Sequence, residues 1–190
     1  MEEMALAYVA RFATSAGKLA DYLERKLRAR GWVAPDGADA EAALPGLDAA
    51  GRARIAELVA RFVAAGYVND ESFAKARAGS LSRRGYGNRR IAQSLGEAGI
   101  DESLRAAALP SAGSARGAAL AYARKRGLGP FARSAPKAGA DPRALREKQI
   151  AAMLRAGHPM ESARKLVCAG SIEAAEEWAG ELDEDAGFEG

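Results

Sequence analysis

Apolar residues return every three or four positions through most of the chain, the spacing that gathers them on one face of an α-helix. The clearest stripe lies in residues 15–30, where Leu19, Tyr22, Leu23 and Leu27 follow this spacing. The strict alternation that marks a half-buried β-strand is scarcely seen. The pattern therefore predicts an all-α fold class. The predicted helices span residues 4–13, 15–30, 51–65, 70–84, 88–98, 101–109, 114–126, 142–157, 159–169 and 171–182.

Glycine marks the end of four of these helices, and a large residue follows it each time. In a Schellman stop, the glycine adopts a left-handed conformation and the next side chain packs on the residue four places before the glycine. The repeated stop indicates an internal repeat whose short helices need stacked neighbours to bury a face. The predicted pairs are Leu27 with Trp32 across Gly31, Phe62 with Tyr67 across Gly66, Leu95 with Ile100 across Gly99, and Met153 with His158 across Gly157.

Three tandem three-helix repeats fit this order of helices and stops. Polar residues at the predicted helix starts agree with it, because their side chains can accept hydrogen bonds from free N–H groups. Those residues are Asn69 or Asp70, Asn88, Asp101 and Asp141. The predicted repeats cover residues 1–66 with a loop insertion at 33–50, residues 67–110, and residues 111–170 with a Gly/Pro-rich loop at 127–141, before a short helix and acidic tail at 171–190.

The net charge of +3 hides a division along the chain. Eight of the 25 acidic residues follow Gly170, where no lysine or arginine occurs, so the preceding body holds 28 bases and 17 acids. Such a body attracts polyanions. The acidic tail is either a competitor for the same surface or a solubilising segment.

Few residues suit catalysis or metal binding. The chain has one cysteine, Cys168, and one histidine, His158, whereas a zinc site needs about four nitrogen or sulfur ligands. We expect Cys168 to be buried beside Leu166 and Val167, and His158 to serve packing or capping. These expectations favour a non-enzyme without cofactor or metal. The absence of a disulfide framework, a signal peptide and a long apolar run favours the cytoplasm.

Basic residues cluster in three groups. The second group flanks the glycine turn at 85–87 and encloses Tyr86, so its guanidinium groups suit phosphate or carboxylate while the ring can stack on a base or fill a protein pocket. In its second half, Arg89 and Arg90 fall in the first turn of a helix, where cations are unfavourable unless an anion lies nearby. The groups are Arg25, Lys26, Arg28 and Arg30; Arg83, Arg84, Arg89 and Arg90; and Arg124, Lys125 and Arg126, with Arg133 nearby.

The stretch from Tyr67 to Ile100 resembles the central motif of the RecX family, which regulates the RecA recombinase. The run as a whole, in order and at this spacing, is what makes the resemblance specific. The family usually has a proline near position 88, where this chain has Asn88, which can cap the helix instead. The matching segments are 66–70, 73–74, 82–87, 90–91 and 99–100.

This resemblance implies an elongated, curved array of three tandem three-helix repeats. It also implies a non-enzymatic regulator that binds the RecA–DNA filament and inhibits or destabilises it. The implied partners are the RecA filament and DNA, single-stranded and also duplex, bound without sequence preference by a monomer. The residues expected to contact RecA or DNA are Arg83, Arg84, Tyr86, Arg89, Arg90, Arg124, Lys125, Arg126, Arg25, Lys26 and Arg28.

Two other functions remain open from the residues. A helix-turn-helix protein would place the helix that begins at Asn88 in a major groove, with Arg89, Arg90 and Gln93 contacting base edges. A plain α-helical scaffold would bind protein partners only. A footprint on a defined DNA sequence would identify the first, and DNA binding that survives moderate salt would exclude the second.

Overall fold

The computed structural model describes residues 1–30, 49–133, 139 and 141–185, and within these residues it contains helices and no strand. The all-α fold class is thus confirmed. The predicted helices are all present, although the first ends at Val9 rather than at residue 13. In chain order they are α1 (Glu2–Val9), α2 (Ala16–Arg30), α3 (Ala49–Ala64), α4 (Asp70–Arg83), α5 (Asn88–Gly96), α6 (Glu102–Ala108), α7 (Ala112–Arg126), a 3-10 turn (Gly129–Phe131), α8 (Pro142–Arg155), α9 (Met160–Val167) and α10 (Ile172–Asp185).

The chain divides into two compact units. The first comprises residues 1–74 and 96–104, and the second comprises residues 75–95 and 105–190. Because the boundaries cut through α4 and α6, these units do not coincide with three-helix repeats, and the division into three repeats stays a prediction. Most of the predicted loop at 33–50 and the predicted stop at Gly31 lie outside the described residues. No helix among the described residues has the length and apolar character needed to cross a membrane.

The first unit is built around leucines of α2 and apolar residues of α3. Leu19 and Leu23 are fully buried, and Ile55 and Phe62 meet them from α3. Each such side chain contributes about 1.5–3 kcal/mol when fully buried. The predicted apolar stripe of α2 is therefore its buried face.

The second unit has its core among α7, α8, α9, α10 and the 3-10 turn. Met153 and Leu166 are fully buried within it, and Trp178 of α10 is 8% exposed. Arg116 of α7 holds this indole, because its guanidinium lies 4.8 Å from the ring centroid and donates to the Trp178 carbonyl at 3.0 Å. The first part of the acidic C-terminal segment is therefore a structural helix of this core.

Two of the predicted Schellman stops have the expected backbone hydrogen bond, and the first also has the expected side-chain contact. At the end of α3, Gly66 has a φ of 76°, the Tyr67 N–H donates to the Phe62 carbonyl at 2.9 Å, and the two rings lie 5.3 Å apart. At the end of α8, the His158 N–H donates to the Met153 carbonyl at 3.1 Å. Gly99 has the expected positive φ of 70°.

Two more helices end in this way without having been predicted to do so. The Tyr86 N–H donates to the Leu81 carbonyl at 3.1 Å across Gly85, and the Leu128 N–H donates to the Ala123 carbonyl at 2.9 Å across Gly127. Both glycines have positive φ angles, 85° and 64°. The stop is thus used more widely than the sequence pattern indicated.

The predicted caps are largely confirmed. The Asn69 side chain accepts from the Ser72 N–H at 2.8 Å, and Asp101 and Asp141 accept in the same manner at the starts of α6 and α8. Asp70 has a different role, because its carboxylate accepts from the N–H of Ala16, the first residue of α2, at 2.8 Å.

Candidate functional site

The glycine turn between α4 and α5 packs against the end of α8, backbone against backbone. The Gly87 N–H donates to the Ala156 carbonyl at 3.0 Å, and the Arg89 N–H donates to the Gly157 carbonyl at 3.3 Å. A Cβ atom on Gly87 would overlap the Gly157 carbonyl, and one on Gly157 would lie 2.6 Å from the Arg90 Cβ. This approach requires glycine on both sides, so we call it the glycine junction of Gly87 and Gly157.

Two N–H groups in the first turn of α5 already have partners at the junction. The N–H of Arg89 bonds to Gly157, and that of Arg90 bonds to the Gly87 carbonyl at 3.0 Å. The expectation that Asn88 caps this helix is wrong, because α5 begins at Asn88 itself and the side-chain amide donates to the Pro110 carbonyl at 3.0 Å. The N–H groups of Arg89 and Arg90 are therefore already occupied, and the basic side chains are the main groups left to bind an anion near this turn.

His158 buttresses the same junction. Its side chain is 3% exposed, and Nε2 lies 3.0 Å from the Gly85 carbonyl oxygen. The Tyr122 ring packs beside it, with the ring centroids 5.5 Å apart. Burial lowers the pKa of His158, and the bond to Gly85 opposes this only in part. His158 is a neutral packing residue, as the sequence analysis expected.

Basic side chains surround the glycine junction. On one side lies a compartment of about 310 Å³. A neighbouring compartment has a volume of about 340 Å³, and Arg155 at the end of α8 lines both. We call the two together the basic cleft. Its first compartment is lined by Arg84, Tyr86, Tyr122, Lys125, Arg126, Ala152, Arg155 and Ala156, and its second by Arg89, Arg90, Gln93, Leu154, Arg155 and Gly157.

The charge of the basic cleft is all of one sign. Among the residues described by the structure, six lysines or arginines line it and no acid does. Like charges at this density repel one another and concentrate anions near the surface. Arg84 adds an aromatic contact, because its guanidinium lies 5.4 Å from the centroid of the Tyr86 ring. The cleft therefore presents a cation on one face of a tyrosine together with five further cations, a combination that suits phosphate or carboxylate groups.

The structure brings together six of the residues that the sequence singled out. Arg84, Tyr86, Arg89, Arg90, Lys125 and Arg126 line the basic cleft.

Other singled-out residues lie elsewhere or face another way. Arg124 forms an ion pair with Glu176 of α10 and lies 5.4 Å from the centroid of the Phe131 ring. Arg83 does not line either compartment, and Arg133 is exposed outside them.

The first basic group lies on α2, in the first unit. Arg28 pairs with Glu24 one helical turn earlier at 2.9 Å, and the Lys26 ammonium lies 5.8 Å from the centroid of the Tyr22 ring. Arg25 is exposed on the same helix. Exposed pairs of this kind contribute about 0–1 kcal/mol, so these side chains remain available to a ligand.

Arg155 is the cleft residue that the sequence analysis missed. A signal for it exists, because Arg155 stands in the last turn before the Gly157 stop, as Arg84 stands before Gly85 and Arg126 before Gly127. Cations are favourable in the last turn of a helix. Basic residues just before Schellman stops are thus a common feature of the cleft.

Cys168 is exposed, and the expectation that it is buried is wrong. The buried face of α9 is formed by Ala163, Leu166 and Val167, and a residue one position further is turned by about 100° to the outside. Among the described residues, no three His, Cys, Asp or Glu side chains are placed to share a metal ion.

Known proteins resemble this chain in sequence and in fold. A family model described as RecX, second three-helix domain, matches residues 69–109. The regulatory protein RecX of Myxococcus xanthus (strain DK1622) is 32% identical over 170 residues, which cover 88% of this chain and 83% of that protein. The crystal structure of RecX from Lactobacillus salivarius matches with a TM-score of 0.57 at 17% identity, covering 96% of this chain and 94% of that one, and so supports the fold. The chain belongs to the RecX family of regulatory proteins.

Proposed function

We propose that this protein is a non-enzymatic regulator that binds the RecA–DNA filament through the basic cleft and inhibits ATP hydrolysis and strand exchange. The observation that carries the proposal is the convergence of six cations on the basic cleft, whose described lining includes no acid. A filament of protein on DNA offers acidic side chains and exposed phosphates, which are the groups that such a cleft attracts.

The strength of this attraction depends on salt. Binding to DNA phosphates releases counterions, so affinity falls steeply as the salt concentration rises. Arg155 is placed to act in both compartments, and Lys125 stands in the first. A charge pair exposed to solvent contributes about 0.2–1 kcal/mol, so the loss of two such contacts costs about 1.4 kcal/mol and weakens binding about tenfold.

Recombinase ATPase on single-stranded DNA tests the proposal. The intact protein is titrated at two salt concentrations, beside the double variant Lys125→Ala/Arg155→Ala. The matched control is Arg11→Ala/Arg54→Ala, which removes the same charge from exposed residues that do not line the cleft. We expect the cleft variant to need about ten times more protein for half-inhibition, with a weaker salt dependence, and the control to behave like the parent.

Equal inhibition by the parent and the cleft variant would mean that the filament is bound through another surface. Equal weakening of both double variants would mean that total charge matters and that the cleft does not. Absence of any inhibition by the parent protein at low salt would reject the proposed function itself.

The helix-turn-helix alternative is less well supported by the geometry. A recognition helix presents its first turn to the bases in a major groove. Here the first turn of α5 lies against the end of α8, and Arg90 donates to the Gln93 side chain at 3.0 Å. A footprint on a defined duplex sequence would restore that alternative.

A further inference from the structure

A second groove in the second unit differs from the basic cleft in both charge and polarity. It runs over the outer face of α9, which packs against both α8 and α10, and has a volume of about 870 Å³. We call it the α9 groove. Its apolar surface is formed by Ile150, Met160, Ala169, Ala174 and Trp178.

Met160 is the most exposed of the large apolar side chains in this groove, with 44% of its surface open to solvent. Methionine is unbranched and adapts its shape to a partner, which is why it is common at protein-binding surfaces. The groove thus offers an adaptable apolar patch that the described residues leave partly exposed.

The charges of the α9 groove are unevenly divided between its sides. The α8 and α9 side carries four bases and two acids, whereas the α10 wall carries acids alone; they are Arg143, Arg146, Arg164, Lys165, Glu147 and Glu161, and Glu177 and Glu181. Arg143 pairs with Glu147 at 3.1 Å and Glu181 pairs with Arg116 at 3.3 Å, and both carboxylates are largely exposed. Such pairs are weak and exchange readily for new partners.

We propose that the α9 groove binds an amphipathic helix of a partner protein. An apolar stripe on that helix would contact Met160 and Trp178, its acidic flank would face Arg143 and Arg146, and its basic flank would face the α10 wall. Helices bind in this way when an apolar face enters a groove between other helices.

Charge and shape select this occupant over two others. Nucleic acid would meet four carboxylates in this groove, two of them on the α10 wall, and carboxylates repel phosphate. A second copy of this chain in a symmetric dimer would present the same concave groove, whereas a helix is convex and about 10 Å wide. The inference concerns a different surface from the basic cleft, so it stands or falls independently of the proposed function.

Cys168 provides the readout, because it lines the α9 groove and is the only cysteine of the chain. The rate of maleimide labelling of the intact protein therefore reports occupancy of this groove. The probe is a side-chain-stapled helical peptide of about 14 residues, roughly four turns, with a leucine stripe, glutamates along one flank and lysines along the other. Three comparison peptides carry lysine on both flanks, glutamate on both flanks, or serine in place of the leucines.

We expect saturating mixed-charge peptide to slow labelling of Cys168 about tenfold, and the serine peptide to leave it unchanged. The single-sign peptides should bind more weakly, because each places one flank against a wall of like charge. Unchanged labelling with the mixed-charge peptide, or equal protection by all four peptides, would overturn the proposal.

Two substitutions on the groove sharpen the test. Met160→Asp places a charge under the apolar stripe and should weaken binding of the mixed-charge peptide about tenfold or more, with Met160→Ser as a milder second variant if the first melts early. Glu177→Lys should weaken the mixed-charge peptide and strengthen the all-glutamate peptide, since both walls then carry bases. If none of these substitutions changes the affinity for the peptides, the peptide binds elsewhere and the proposal is rejected.

Discussion

Replacing Gly157 with alanine should destabilise the second unit far more than the same replacement at Gly127. Both glycines end a helix in a Schellman stop, with φ angles of 93° and 64°. They differ in their surroundings, because a Cβ on Gly157 would overlap the backbone N of Arg90, whereas the nearest atom to a Cβ on Gly127 is 3.4 Å away. The pair therefore separates backbone strain from steric overlap.

The expected losses of stability follow from the backbone strain and the steric overlap. A left-handed conformation costs a residue with a Cβ about 1–2 kcal/mol, and both variants carry this cost. Overpacking against a neighbouring backbone adds about 1–3 kcal/mol at Gly157 alone. We expect losses of about 1–2 kcal/mol for Gly127→Ala and about 2–5 kcal/mol for Gly157→Ala.

Urea unfolding followed by far-ultraviolet circular dichroism measures the two losses. Amide hydrogen exchange locates them, since the N–H groups of Gly87 and Arg89 donate across the glycine junction to Ala156 and Gly157. In Gly157→Ala these two amides should exchange faster than the global loss of stability accounts for. In Gly127→Ala they should follow global stability.

Equal free energies of unfolding for the two variants would refute this reasoning. It would mean that the turn at 85–87 moves away from α8 at little cost, so that the glycine junction does not hold the two sides of the basic cleft. Retained slow exchange of the Gly87 amide in Gly157→Ala would lead to the same conclusion.

Three further predictions concern other parts of the chain. Gly99→Val should destabilise the first unit strongly, because Gly99 has a φ of 70° and a Cβ there would lie 2.9 Å from the Gly17 Cα; unaltered melting would contradict this. Burial lowers the pKa of His158 below its ordinary value of 6.5, so the unfolded chain binds the proton more tightly and the free energy of unfolding falls as the pH drops below about 6.5. His158→Gln should remove this fall, and melting temperatures of parent and variant that change with pH in parallel would contradict the prediction. Glu176→Gln removes the ion pair of Arg124 and should tighten binding to labelled single-stranded DNA at low salt, while the free energy of unfolding changes by less than about 1 kcal/mol. An unchanged dissociation constant would mean that Arg124 has no role in DNA binding.

The helices and most of their ends could be predicted because their signals are local. Phe62, Gly66 and Tyr67 lie within six residues of chain, and their contact forms in any helix that ends at that glycine. The stops at Gly85 and Gly127 use the same spacing but were missed. At Gly127 the residue four places earlier is Ala123, which is too small to stand out as a packing partner.

The basic cleft could be predicted only in part, because its assembly depends on tertiary contacts. Arg124, Lys125 and Arg126 are consecutive, yet each residue of a helix points about 100° away from the last. Arg124 therefore reaches Glu176 while the other two line the cleft. Arg155 joins them because the end of α8 packs against the turn at 85–87. The sequence marks Arg155 as a base before a helix stop, but it does not reveal which turn that stop packs against.

The main-chain contact of the glycine junction holds this region together, whereas the surrounding side chains form its binding surface. Gly87 and Gly157 lie in a contact made through main-chain atoms, to which Arg89 contributes its backbone N–H and not its guanidinium group. Natural variation can therefore exchange Arg84, Arg89 or Arg155 and alter ligand preference while the frame stays in place. Relatives with divergent partners should retain both glycines and differ in the side chains that border them.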